Sequence, residues 1–75
     1  ERLVKTLKER LEDSRVKVRL IREEVNKDID SRAKVGEYGE DERMRYRAEL
    51  QKLIDTANSS LEELFEKKEK EVLGE

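Results

Sequence analysis

Apolar residues return every three or four positions along almost the whole chain, and the rhythm breaks once, at the stretch VGEYGEDE from Val35 to Glu42. A period near 3.6 belongs to an α-helix that buries one face, so the chain divides into two helical runs and a turn. At about 100° per residue, Leu7, Leu11, Val18, Ile21, Val25 and Ile29 fall in a sector about 80° wide. With Val4 they form the buried stripe of a first helix expected over about residues 2–34. Tyr46, Leu50, Leu53, Ile54, Ala57, Leu61, Leu64, Phe65 and Val72 keep helical phase over a second helix, from about 40 to 73. Gly36 closes the first helix, because glycine accepts left-handed backbone without a Cβ penalty. Gly39 is placed to N-cap the second, with Glu40 and Asp41 at the positive end of the helix dipole and Glu42 folding back as in a capping box. Two helices, each roughly 50 Å long and joined by the short turn 35–39, must lie antiparallel. The expected fold class is all-α, a long helical hairpin.

Composition alone would also allow disorder, since 51% of residues are charged and only 4% aromatic. The sustained periodicity decides for helix. There is no cysteine and no histidine, so neither a disulfide nor a zinc site can staple the fold. No apolar run approaches the roughly 20 residues that span a bilayer, and the first residues lack the pattern of a signal peptide. The chain therefore reads as soluble and cytoplasmic, with no membrane partner. Each helix of a hairpin covers only part of its neighbour's stripe, which leaves a place for a further helix. The chain taken by itself is expected to fill that place by forming a homodimer.

Catalysis has little to work with. Ser14, Ser31, Ser59 and Ser60 have no histidine as a base, no glycine-rich phosphate loop is present, and the Glu-x-x-His pair of bundle metal sites cannot occur. The carboxylates sit at helix-surface spacing and form i,i+4 pairs such as Glu63 with Lys67 and Glu66 with Lys70. No enzymatic activity, cofactor or metal is expected.

Within "RVKVRLIREEVNKDID", Arg15, Arg19, Arg22 and Asn26 share a line only about 60° wide. It borders the apolar stripe of the first helix without belonging to it. The line has two readings. It is a solvated flank whose arginines pair with acids such as Glu12 and Glu23, or it is an edge that grips the phosphates of a nucleic-acid backbone. With a net charge of −2, any nucleic-acid binding must come from such local clustering, and charge spacing alone favours the solvated flank. Val16 and Leu20 lie far round the helix from the main stripe.

The residues then become familiar. "RVKVRLIREEVNKD" resembles the arginine-rich helix of the ribosome recycling factor family, whose pattern R-x-x-V-R-x-x-R-x-x-x-N falls here on Arg15, Val18, Arg19, Arg22 and Asn26. The likeness continues through the acidic start of the second helix and through "ELQKLIDTANSSLEELFEKKEKEVL". Departures are local: Glu23 stands where a second arginine is common, Leu20 where asparagine is, Gly39 where a serine cap is usual, and Ile54 where threonine is frequent. The resemblance implies a three-helix bundle with a small β-rich domain inserted after its first helix. This chain matches the carboxyl-terminal portion of the bundle, its last two helices, with the first helix and the inserted β-domain absent.

The function implied by the resemblance is disassembly of the post-termination ribosome together with elongation factor G, by a factor that is not itself an enzyme. It would place Arg19 and Arg22 on phosphates of large-subunit ribosomal RNA, with Arg15 extending the row and Asn26 as a helper or a helix-orienting residue. The segment would carry the RNA-binding helix and be inactive alone. The alternative is a structural or designed hairpin that self-associates without an RNA partner.

Overall fold

A computed structural model describes residues 2–74. Helix α1 spans Arg2–Lys34 and α2 spans Glu40–Leu73. They pack against each other as an all-α hairpin with Cα extents of 55 × 16 × 10 Å. No strand occurs among the described residues.

The turn is built from local hydrogen bonds. Gly36 has φ +84, the left-handed conformation in which a side chain would be strained. Its N–H donates to Ala33 O at 3.1 Å, and Glu37 N–H reaches back to Arg32 O at 3.0 Å. This Schellman arrangement satisfies carbonyls that the helix end would otherwise leave open. Gly39 caps α2 with extended backbone, and its N–H donates to Glu42 Oε2 at 3.1 Å. Only this half of a capping box can form, because glycine has no side chain to return the bond. Tyr38 ties the turn down: its hydroxyl donates to Ile29 O at 2.7 Å, and its ring meets Tyr46 edge-on at 4.9 Å. Lost hydration around the Tyr38 phenol raises its pKa above the ordinary value of 10.0.

Burial along the seam is sparse. Val4, Ile29 and Ile54 are the buried hydrophobic residues, with Leu11, Val18, Leu50, Leu61 and Phe65 half-buried beside them. The apolar stripe is wider than the contact. Ile21 is 54% and Leu53 68% exposed, although both belong to the stripes expected to be buried. The reason is rotational. The face that α1 turns to α2 is centred on Val4, Leu11, Ile29 and Ala33, nearer the arginine line than the centre of the apolar sector. Arg15, Arg22 and Asn26 are consequently half-buried. The line borders the buried face, as its spacing predicts, but lies close enough to the seam for three of its residues to be partly covered.

Ion pairs fix how the helices align. Near the turn, Asp30 accepts from Arg43 Nη1 at 3.0 Å and from Arg47 Nη1 at 3.1 Å. Farther out, Arg15 Nη2 donates to Glu62 Oε1 at 2.7 Å. Fifteen residues separate Arg15 from Asp30 on α1, and fifteen separate Arg47 from Glu62 on α2, so the register does not slip between the two clamps. Glu66 and Lys70 pair at 3.7 Å as their spacing predicts, whereas Glu63 and Lys67, at the same spacing, form no ion pair among the described residues.

Two outcomes follow from this packing. Ile54→Ala empties the middle of the seam and should destabilise the hairpin by about 2 kcal/mol, whereas Leu53→Ala should leave the melting of dilute chain almost unchanged; equal losses in thermal denaturation would contradict the rotation of the seam. The second concerns acid. The hydrogen bond from Arg43, helped by the charge of Arg47 and opposed by partial desolvation, holds the Asp30 carboxyl below its usual 3.8. A lowered folded-state pKa adds stability that is fully present above the unfolded value and is lost as pH falls through the folded one. The melting temperature should therefore drop on acidification below about pH 4, and Asp30→Asn, already less stable at neutral pH, should drop less. Parallel acid limbs for the two proteins would show that the clamp contributes nothing.

Candidate nucleic-acid interface

All four residues of the arginine line sit on α1, and α2 determines what each can do. Arg15 is occupied. Its guanidinium holds Glu62 at 2.7 Å and reaches Glu12 at 3.8 Å. Arg19 is exposed and Arg22 half-buried, and neither has an ion pair or side-chain hydrogen bond among the described residues. The arginines nearer the turn differ. Arg32 holds Asp28 and Glu37, Arg43 holds Asp30 and Glu40, Arg45 lies 4.0 Å from Glu49, and Arg47 shares Asp30. Hydrogen bonding to Arg43 also lowers the Glu40 pKa, so that carboxylate stays ionised and committed.

A groove runs along this side of the seam. One concavity joins Arg15, Arg19 and Arg22 to Ile54, Asn58 and Glu62 of α2. A second continues from Arg22 past Asn26 and Lys27 to Arg47 and Gln51. Arg22 is common to both and stands where they meet. With Arg15 set against Glu62 and Arg47 against Asp30, the remaining charges along the groove are those of Arg19, Arg22 and Lys27 against Glu12 and Glu23. The local balance is positive although the chain as a whole carries −2.

Asn26 serves the groove differently. Its Oδ1 is buried without a hydrogen-bond partner among the described residues, and so is Oδ1 of Asn58 on the facing helix. Buried carbonyl oxygens normally find donors. Both residues line the wall that also carries Arg22, with these oxygens turned in toward the seam rather than to solvent.

Chemically, the arrangement suits an anion with several oxygens. Arg19 and Arg22 present planar forks with unused N–H donors, the geometry that grips phosphate bidentately. The described residues contain no His, Cys, Asp and Glu cluster that could hold a metal and no helix long and apolar enough to cross a membrane. Asn58 and Glu62 are absent from the line that the sequence singled out, because both come from the second helix. Counting equal steps outward from the turn would have found Glu62, since that count also pairs Asp30 with Arg47.

Comparisons agree with the family pattern in α1. The model of the family described as "Ribosome recycling factor" matches residues 1–73. The ribosome-recycling factor of Fervidobacterium nodosum is 44% identical over 73 residues, covering 97% of this chain and 40% of that protein. Its counterpart from Thermosipho africanus is 40% identical over 73 residues, with the same coverage of 97% and 40%. The one from Deinococcus radiodurans is 42% identical over 72 residues, covering 96% of this chain and 38% of that protein. The chain thus spans about two fifths of the length of the curated relatives it matches. No solved structure matches it.

Proposed function

This chain belongs to the ribosome recycling factor family, and on that premise we propose that it supplies the RNA-gripping part of a cytoplasmic translation factor that separates the subunits of the post-termination ribosome. The factor is not an enzyme and works with elongation factor G, whose GTP hydrolysis drives the step. The observation that carries the RNA reading is the placing of two unpartnered guanidinium groups, Arg19 and Arg22, along one concavity of the seam; Arg2 and Arg10 of the same helix also lack carboxylate partners among the described residues but lie outside it. Arg19 and Arg22 contact phosphates of large-subunit ribosomal RNA, Lys27 extends the positive side of the groove, and Asn26 offers a hydrogen bond at its centre.

Gripping and splitting are separate tasks. With about two fifths of its relatives' length, the 75-residue chain binds but does not by itself separate subunits. The direct test is co-sedimentation with large ribosomal subunits at increasing salt. Arg19→Ala and Arg22→Ala together should weaken binding and flatten the salt dependence by about one power of concentration per phosphate contact removed, with helicity unchanged. In the same preparation elongation factor G and GTP should leave joined ribosomes joined. Absence of binding by the unmodified chain, or undiminished binding by the double variant, would overturn the reading.

The open side of the seam suggests a second association. Ile21 on α1 and Leu53 and Leu64 on α2 are exposed, and all three lie on the side of the helix contact away from the arginine groove. In the family's three-helix bundle this side receives the remaining helix. The 75-residue chain alone covers it with a second copy, as a two-fold dimer whose apolar edges meet. Burying one large aliphatic side chain is worth roughly 1.5 to 3 kcal/mol, enough to favour association when several are covered together. Sedimentation equilibrium at micromolar concentration should give a dimer of the 8.9 kDa chain, and Leu53→Ala should shift it toward monomer. A fully helical monomer at every concentration would rule the dimer out.

A further inference from the structure

We propose that Glu62 is a built-in rival to phosphate for Arg15, and that it thereby sets the edge of the RNA footprint. The inference rests on the RNA-binding reading of α1 and sharpens it. Arg15 lies in line with Arg19 and Arg22 and lines the same concavity, so spacing alone would count it as a third phosphate ligand. Its guanidinium is already held by Glu62 at 2.7 Å, with Glu12 at 3.8 Å on the other nitrogen. Both carboxylates face the concavity too. A phosphate approaching Arg15 must displace Glu62 or share the guanidinium with it, and in either case sits beside two negative charges, whereas at Arg19 and Arg22 no carboxylate among the described residues holds the guanidinium.

The partner also comes from the other helix. Glu12 is three residues from Arg15 on the same helix and would follow it in any movement; Glu62 belongs to α2 and ties the arginine to the seam. Arg15 side-chain exposure is 38% and that of Glu62 59%, so the pair remains open to solvent and to exchange of partners. An exposed ion pair of this kind adds little to stability. Its consequence lies in recognition: repulsion at one end of the row confines the phosphate backbone to the segment from Arg19 toward Lys27 and fixes where on the helix the RNA stops. Discrimination by a misplaced like charge is a general means of setting register at an interface.

The test is a double-variant cycle in the same salt-dependent co-sedimentation assay. Glu62→Gln keeps the shape and removes the charge; it should tighten binding to large ribosomal subunits roughly threefold to tenfold at low salt and steepen the salt dependence by about one power of concentration. Arg15→Ala alone should change binding little, and in combination with Glu62→Gln it should abolish the gain. Glu66→Gln removes an equal charge from α2 at a residue paired with Lys70, and should leave binding unchanged. Circular dichroism of each variant checks that the hairpin persists. A Glu62→Gln variant that binds like the parent, a gain that survives Arg15→Ala, an equal gain from Glu66→Gln, or an Arg15→Ala loss as large as that of Arg22→Ala would each overturn the proposal. These outcomes leave the wider RNA reading standing, since that reading falls only if the unmodified chain does not bind or the Arg19 and Arg22 double variant binds undiminished.

Discussion

Two cylinders side by side touch along a narrow strip, and everything else in this hairpin follows from how narrow that strip is. Each helix carries an apolar sector wider than its partner can cover. The contact settles on one edge of the sector, where Val4, Ile29 and Ile54 become buried, and leaves Ile21, Leu53 and Leu64 outside. Because the contact lies toward the arginine line, it also draws Arg22 and Asn26 into partial burial. One geometric limit therefore produces both sides of the molecule, an apolar one and a polar groove.

The hairpin and its turn were legible in the sequence because their causes are local. A left-handed glycine at 36 and a glycine with an acid three residues on at 42 act through backbone bonds spanning a few residues. The orientation of α1 was not legible, since a helical wheel gives the width of an apolar face but not which edge a single neighbour selects. The state of each arginine was hidden for the same reason. Arg15 looked equivalent to Arg19 and Arg22 until α2 brought Glu62 against it, and the local acid expected to pair, Glu23, takes no part among the described residues.

Net charge is a poor guide to what such a surface attracts. Acids outnumber bases in this chain, 20 to 18, yet many of the acids are spent on the turn and on helix-surface pairs. What a passing phosphate meets is the charge left over within about one Debye length, roughly 8 to 10 Å at moderate salt. Along the groove that remainder is Arg19, Arg22 and Lys27 against Glu12 and Glu23, positive on balance. A chain half made of charged residues can thus set part of them against one another and leave a particular few free along one groove.

The two cross-helix clamps, at Asp30 and at Arg15, are set equal distances along both helices. About 22 Å of helix lies between them at 1.5 Å per residue. Layers free to slide bend as easily as each layer alone, whereas layers pinned at both ends must stretch one face and compress the other. Firm pins would turn two slender rods into a single deeper beam. In a hairpin with so little core, the marginal pairs add to the apolar seam's resistance to shear unequally, since Asp30 is held by two arginines and Arg15 by one exposed carboxylate that exchanges with solvent.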